Sequence, residues 1–255
     1  MISALYTALS SMSANENALR IEANNIANIN TTAFQGSKAT FGDVINGITS
    51  GASQSAGGGT QLTGISRDST GGALFGTGGS LDLALTGNGY FIVKNQQGAA
   101  FYTRAGNFQV DKEGYIATAT GNRLQGYTNG VLGSLNIGGG AQGSNVRVSG
   151  DGTLSVVLED GQMKAIGQIA EAKFNNPGGL ASVGNNLYTQ TASSADALTA
   201  VPATGGIITG TLETSNVDLA EQLTGMAVSE NAFKASIKTA QTAYETMKSV
   251  LDLKK

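Results

Sequence analysis

Large apolar residues recur at alternating steps of three and four positions near both ends of the chain. The N-terminal stripe is Ile2, Leu5, Leu9, Met12, Glu16, Leu19, Ala23 and Ile26. The C-terminal stripe is Leu219, Leu223, Met226, Glu230, Phe233, Ile237, Ala240, Tyr244, Met247 and Leu251. This heptad spacing is typical of helices that pack lengthwise on one another. We therefore predict a helix at each end, with the two pairing as a coiled-coil-like unit, although one such stripe is also the core face of an ordinary amphipathic helix.

The C-terminal helix has a clear start signal in the sequence TSNVDLAE. Ser215 with Asp218 has the spacing of a capping box, and Asn216 is a rival N-cap. We expect this helix to run from about residue 216 to 253.

Between the two ends, short β-prone runs alternate with turn signals from about residue 81 to 190. The runs are LDLAL, YFIVK, AFYTRA, FQV, RLQGY, VRVS, TLSVVL and AIGQIAEAKF, and the turns between them are TGNGY, DKEGY, TNGV, GDGT and EDGQ. This arrangement predicts antiparallel strands joined by short hairpins. Residues 36–75 are rich in Gly and Ser and weakly patterned, which favours an extended or flexible connection.

The predicted fold class is α+β, with an antiparallel all-β domain inserted between paired N- and C-terminal α-helices. A discontinuous helical domain would comprise residues 1–35 and 212–255. The connection would occupy residues 36–75, and the β-rich domain residues 76–211.

Composition narrows the chemistry available to the 255-residue chain, which contains no Cys, His or Trp. Without Cys and His, no disulfide, no Cys- or His-dependent nucleophile and no His-ligated metal can form. The 15 Lys and Arg residues are scattered and the net charge is −3, so no nucleic-acid footprint is present. No apolar run approaches the ~20 residues of a membrane helix, and the N-terminus lacks the basic and solidly apolar regions of a cleaved leader. We expect no catalytic site, cofactor, metal, nucleic-acid partner or membrane insertion.

Two alternatives remain open at this point. A carbohydrate-active enzyme would place two carboxylates across a cleft, and its candidates here are Asp82, Asp111, Glu113 and Glu159. The last three lie in turn sequences, where acidic residues commonly serve the turn itself. An extracellular β-rich adhesin would bind through β-domain loops and would not need heptads at the chain ends.

Four asparagines crowd the end of the N-terminal stripe in EANNIANINTTAF, at positions 24, 25, 28 and 30. Asn is a mediocre helix former because its amide competes for backbone hydrogen bonds. Amides at a helix end can cap it or bond to a neighbouring chain. Since each helix offers one apolar stripe and little else, we expect both ends to be marginal in the monomer and ordered when several copies pack together.

The same segments resemble the axial proteins that build the rod and hook of the bacterial flagellum. ANNIANINTTAFQGSKATFGD is similar to the N-terminal signature of this family, and LETSNVDLAEQLTGMAVSENAFKASIKTAQTAYETMKSVLDL to its C-terminal signature. GSLDLALTGNGYFIV, FYTRAGNFQVDKEGYIATATGNRLQGY and FNNPGGLASVGNNLYTQTASS are similar to its shared β domain and the segment that returns to the last helix. The distal rod is favoured by the length of the chain and by the segments NLYTQTASS and LETSN. FGDVINGI with TQLTGISRDST is closer to the hook, and SENAF and TAYETM depart from the family pattern.

The resemblance implies a structural subunit without cofactors, whose terminal helices line a hollow tube that transmits torque and passes exported subunits. Its implied partners are further copies of itself in a helical homopolymer, adjacent rod and hook proteins, the flagellar type III export apparatus and bushing-ring proteins. Its implied location is the periplasm-spanning basal-body rod or the extracellular hook, reached without a cleaved signal peptide. The stripes and matched motifs give the expected subunit-interface residues: Leu5, Leu9, Met12, Leu19, Asn24, Asn25, Ile26, Asn28, Leu219, Leu223, Met226, Phe233, Ile237, Tyr244, Met247 and Leu251.

Overall fold

Two compact units make up the chain in the computed structural model, which describes residues 2–45, 57–138, 146–157, 162–202 and 206–252. The helical unit comprises residues 1–29, 36–68 and 217–255. The β unit comprises residues 30–35 and 69–216. Both units are discontinuous in sequence.

The helical unit contains two long helices and one β-hairpin. Helix α1 spans Ile2–Ala27 and helix α2 spans Leu219–Asp252. Strands β1, Ser37–Ile45, and β2, Gly57–Arg67, pair antiparallel. Residues 37–45 and 57–67 of the expected connection are therefore extended strands that pair with each other, while residues 46–56 lie outside the described ranges.

Strand β2 lies directly against α1 at Gly59. The φ angle of Gly59 is +114°, and a Cβ atom at this position would overlap the hydroxyl of Ser10. Only glycine adopts this backbone conformation without strain and also permits such a close approach. Gly59 thus serves strand-to-helix packing.

The β unit consists of short antiparallel strands. They are β3 Leu74–Gly76, β4 Leu83–Leu85, β5 Gly89–Lys94, β6 Ala100–Thr103, β7 Gln109–Val110, β8 Ile116–Ala117, β9 Arg123–Thr128, β10 Val131–Ser134, β11 Val146–Val148, β12 Thr153–Val157, β13 Met163–Lys173, β14 Ala181–Gly184, β15 Leu187–Thr189, β16 Leu198–Pro202, β17 Ile207–Thr209 and β18 Thr211–Glu213. A 3₁₀ turn spans Pro177–Gly179.

Most of these strands join one large sheet. Within the described ranges its main path runs β11-β12-β13-β9-β5-β6-β15-β14, with β10 and β8 pairing β9, β7 pairing β8 and β16 pairing β13. Two small ribbons, β4 with β17 and β3 with β18, tie residues near 80 to residues near 210. The segment before α2 is therefore held by the β unit.

Strand β5 lies at the centre of the core because both of its faces are covered. Phe91 and Val93 point into one apolar cluster, with Leu83, Ile116 and Leu124 among its members. Tyr90 and Ile92 point into a second cluster on the opposite face, which includes Tyr102, Phe174 and Tyr188. The nearly continuous apolar run YFIV is what a strand buried on both faces requires.

The predicted fold class is confirmed: two terminal helices flank an antiparallel β domain. The TNGV signal forms the β9–β10 hairpin, in which Asn129 and Gly130 both have positive φ, at 52° and 80°. Helix α2 begins three residues later than expected, at Leu219. Its N-cap is Asp218, whose carboxylate accepts the Ala220 N–H at 2.8 Å and the Glu221 N–H at 3.2 Å. The capping roles expected of Ser215 and Asn216 are therefore wrong.

Candidate subunit interface on the terminal helices

The contact between helices α1 and α2 is formed mainly by small residues. The buried positions are Ala8, Ala14, Ala18 and Asn25 on α1, and Gln222, Ser229 and Ser236 on α2. We call this contact the inner seam. Small side chains allow two helix axes to approach closely, and they bury little apolar area.

Polar contacts fix the register of the inner seam. The Ser236 hydroxyl donates to Ser11 Oγ at 3.0 Å, and the Ser229 hydroxyl donates to Glu22 Oε1 at 3.2 Å. The Asn25 amide donates to Gln222 Oε1 at 2.8 Å. Since higher numbers on α1 meet lower numbers on α2, the two helices run antiparallel.

The inner seam does not coincide with the heptad stripes that the sequence predicted. Six of the seven buried positions, all except Ala14, lie one residue before a position of the predicted stripe: Ala8 precedes Leu9, for example, and Gln222 precedes Leu223. One residue is a rotation of about 100° around a helix. The large apolar residues therefore flank the contact between the two helices.

Exposure separates the sixteen predicted interface residues into three groups. Leu9, Leu219, Leu223, Tyr244 and Leu251 are 46–64% exposed, and Asn24 is also exposed. The half-buried group comprises Leu5, Met12, Leu19, Ile26, Asn28, Met226, Phe233, Ile237 and Met247. Asn25 alone is buried.

Further exposed apolar side chains extend this surface. Ile2, Tyr6, Val228 and Val250 are 52–66% exposed. Together with Leu9, Leu219, Leu223, Tyr244 and Leu251 they form what we call the outer apolar set. Tyr6, Val228 and Val250 were missed because they fall outside the strict heptad positions, although a wider apolar stripe would have included them.

Asn25 joins three elements of the helical unit and is 2% exposed. Its side-chain oxygen accepts the Ser37 N–H at 3.0 Å, and its amide donates to the Ser37 carbonyl at 2.8 Å as well as to Gln222. Asn28 closes the end of α1, because its side chain donates to the Asn24 carbonyl at 2.9 Å. The asparagine cluster is thus a helix end combined with an intrachain junction.

A cavity of about 220 Å³ lies beside the inner seam, between α1, α2 and β1. Glu22 contributes to its wall, and one carboxylate oxygen of Glu22, Oε2, is inaccessible to water and has no hydrogen-bond partner among the described residues. Burial raises the pKa of Glu22 above its ordinary value, and the hydrogen bond from Ser229 opposes this shift. Lys38 and Glu221, which also line the cavity, pair with each other at 3.0 Å.

Three of the four carboxylates proposed for an enzyme have structural partners in the β unit, and among them Asp82 accepts a hydrogen bond from the Thr77 hydroxyl. Asp111 accepts the N–H groups of Glu113 and Tyr115, as a turn residue does. Arg123 pairs with Asp111 at 3.5 Å and with Glu113 at 2.7 Å. Glu159 and the neighbouring Asp160 lie outside the described ranges. In the part of the chain that the structure describes, no group of three or more acidic residues could hold a metal ion, and neither helix could cross a membrane.

The pair Arg104–Glu213 is buried, with both side chains only 2% exposed. Arg104 Nη2 lies 2.8 Å from Glu213 Oε2, and Nη1 donates to the carbonyls of Gly87 and Gly89 at 2.8 and 3.0 Å. The Gly72 N–H donates to Glu213 Oε1 at 3.0 Å. This network holds β18, the last strand before α2. Neither residue was singled out from the sequence, where Arg104 lies near the end of the predicted run AFYTRA and Glu213 lies in LETSN.

Three family models match the chain. Residues 5–35 match the flagella basal body rod protein model, and residues 84–156 match the flagellar hook protein FlgE/F/G D1 domain. Residues 208–253 match the flagellar basal body rod FlgEFG protein C-terminal model. The terminal matches cover most of α1 and the whole of α2.

Rod proteins are similar to this chain over nearly its full length. The flagellar basal-body rod protein FlgG of Bacillus subtilis is 35% identical over 100% of both chains. The FlgG protein of Buchnera aphidicola subsp. Baizongia pistaciae is 34% identical over 95% of this chain and 96% of its own. The flagellar hook protein FlgE of Caulobacter vibrioides is 33% identical over 55% of this chain and 24% of its own.

Proposed function

This chain belongs to the family of flagellar basal-body rod and hook proteins and is a structural subunit of the flagellar axis, and we propose that it polymerises into a hollow tube through the outer apolar set of its terminal helices. The rod is favoured over the hook, because the similarity to rod proteins extends over almost the whole chain and that to a hook protein over about half of it.

The exposure of large apolar side chains on α1 and α2 supports this proposal above all other observations. The nine members of the outer apolar set are 46–66% exposed in the single chain. Covering a large apolar side chain stabilises a complex by roughly 1.5–3 kcal/mol, so several such residues from each copy supply a substantial driving force. The inner seam, made of Ala, Ser and amides, leaves these side chains available.

The proposal extends to the surroundings of the tube. We propose that the neighbours of the tube are adjacent rod and hook proteins, that bushing-ring proteins enclose it, and that its monomers reach it through the flagellar type III export apparatus. The terminal helices would be marginal in the monomer and ordered in the tube, where torque passes from copy to copy. No cofactor or catalytic step enters this role.

The test replaces exposed apolar residues without touching the inner seam. We expect Leu9→Gln combined with Leu223→Gln and Leu251→Gln to remove motility when this is the only copy in the cell, and to leave purified basal bodies without the segment that this chain builds. Circular dichroism of the dilute monomer should be unchanged, because all three side chains are already exposed.

Val131→Gln with Met163→Gln is the matched control, since these side chains are 70% and 66% exposed but belong to the β unit. This control should support motility and normal basal bodies. Normal assembly of the triple variant would contradict the proposal.

A further inference from the structure

We infer that a lysine or arginine side chain from a second copy of this chain enters the cavity beside Glu22 and pairs with its carboxylate. The inference rests on the proposed polymerisation and adds a specific contact to it. The cavity is bounded by α1, α2 and β1, all within the helical unit.

The Glu22 carboxylate is incompletely satisfied in the single chain. Ser229 donates to Oε1, but Oε2 has no hydrogen-bond partner among the described residues and is shielded from water. A shielded carboxylate oxygen without a partner destabilises the folded chain, and a cation close to it offsets that cost. Rotation of the carboxyl group about its last torsion, which is soft, turns either oxygen towards the cavity.

The walls of the cavity suit a long basic side chain. Ala18, Ile21 and Phe41 provide apolar surface on one side, and Glu22 provides the acidic group. Lysine and arginine side chains bury their methylene stems against apolar surface and direct the charged end to a polar partner. A volume of about 220 Å³ accommodates a side chain of this length.

Glu22 has no ion pair with a cation among the residues that the structure describes. Lys38 lines the cavity, but its ammonium group pairs with Glu221 at 3.0 Å. Arg20 lies two positions before Glu22 on α1, which is a rotation of about 200° to the opposite face of the helix. A cation for Glu22 can therefore come from a second copy of the chain.

The helices also present basic side chains that are available to a neighbour. Arg20, Lys238 and Lys248 are exposed, and none of them forms an ion pair with the residues that the structure describes. Arg20 lies opposite Glu22 on α1, and Lys238 lies two positions beyond Ser236, away from the inner seam. A contact between a cavity on one face and a basic residue on another is heterologous, and repeated heterologous contacts build rings or helical filaments.

The variant Glu22→Gln tests whether Glu22 has this intermolecular role or only a structural role within one chain. Removing the buried charge should stabilise the α1–α2 pair of the dilute monomer against urea. Loss of the pairing with the neighbouring copy should nevertheless reduce, by at least about tenfold, the amount of chain that remains in purified axial structures after a salt wash. Glu16→Gln, an exposed carboxylate on the same helix without an ion pair in the described chain, is the control and should change neither quantity.

The donor is identified by combining Glu22→Gln with Arg20→Gln, Lys238→Gln or Lys248→Gln. The basic residue that pairs with Glu22 should weaken assembly when changed alone and add no further loss in the Glu22→Gln background. The inference is overturned if Glu22→Gln assembles as well as the parent, or if all three basic variants add their effects to it. In those cases the outer apolar set still governs assembly; failure of the Leu9, Leu223 and Leu251 variant to impair assembly would instead overturn the proposed function.

Discussion

The side chain of Asn25 hydrogen-bonds to Ser37 on β1 and to Gln222 on α2, so one amide joins three elements of the helical unit. The cluster of four asparagines indicated a helix end, and α1 does end there, at Ala27. The sequence could not distinguish the exposed Asn24 from the buried Asn25, because that difference depends on where Ser37 and Gln222 arrive from distant parts of the chain. Non-local partners of this kind leave no periodic signal.

We expect Asn25→Asp to destabilise the helical unit by about 1–3 kcal/mol, because a carboxylate oxygen would replace the amide that donates to Ser37 and Gln222. Urea unfolding of the dilute monomer, followed by circular dichroism at 222 nm, measures this change. Asn24→Asp makes the same chemical change at an exposed position and should shift the midpoint little. Equal effects of the two variants would contradict the junction role of Asn25.

Glu22 makes the stability of the helical unit depend on pH. Burial raises the pKa of Glu22 above its ordinary value of 4.5, so the folded unit retains this proton to higher pH than the unfolded chain does. The ionised Glu22 carboxylate lowers the stability of the helical unit. This destabilisation is absent below pH 4.5, grows as pH rises through the folded-state pKa, and is complete above it. Lys38 and Glu221 also face the cavity, but they are paired with each other.

The helix content of the parent monomer should therefore fall more steeply than that of Glu22→Gln as pH rises from 4.5 to 7. The difference between the two proteins isolates Glu22 from the other carboxylates, which are common to both. Parallel pH profiles would show that Glu22 does not carry this dependence.

At the scale of elements, the heptad stripes predicted both helices correctly and misplaced the contact between them. Periodicity identifies an apolar face, but it does not say which neighbour covers that face. The inner seam uses Ala18, Ser229 and Ser236, one residue away from the large apolar positions. The apolar pattern does not favour small side chains for this contact, since their advantage is close approach of the helix axes and not the area they bury.

The β1–β2 hairpin was the least predictable element, because its Gly/Ser-rich sequence reads as a connection. Its attachment to α1 depends on Gly59, where φ is +114° and a side chain would meet Ser10. We expect Gly59→Ala to cost the helical unit about 1–3 kcal/mol through backbone strain and steric overlap. Faster proteolytic cleavage within residues 37–67 would report detachment of the hairpin.

Gly64→Ala in the same strand is the matched control. A Cβ atom at Gly64 would meet no atom within 4 Å, and its φ angle lies outside the range that favours glycine. This variant should resist proteolysis as the parent does. Similar sensitivity of both alanine variants would argue against a close contact at Gly59.

At the scale of the whole molecule, two kinds of packing coexist in one chain. The β unit has large apolar clusters on both faces of β5, whereas the helical unit is closed by small and polar residues. Each of the eight quoted β runs overlaps an observed strand, so the runs predicted half of the sixteen described strands of the β unit. The ribbons β3–β18 and β4–β17 were not predictable, because they join residues about 130 positions apart.

We expect the two units to unfold in separate steps in urea, with helix signal lost before the fluorescence of the buried tyrosines Tyr90, Tyr102 and Tyr188 changes. Arg104→Met should destabilise only the second step, by about 3–5 kcal/mol, because it leaves the buried Glu213 carboxylate without its cation. Arg123→Met, which breaks the partly exposed pairs with Asp111 and Glu113, should cost less than about 1 kcal/mol. A shift of the helix transition by Arg104→Met would contradict the independence of the units.

The small residues of the inner seam also determine at which step, helix pairing or assembly of copies, the side chains lose their rotational freedom. Alanine has no side-chain rotamers to restrict, and serine has few, so closing the seam costs little side-chain entropy. The exposed leucines, valines and tyrosines keep their rotamers until another surface covers them, and that later step also releases the water around them. Joining copies should then carry a negative change in heat capacity and grow stronger on moderate warming.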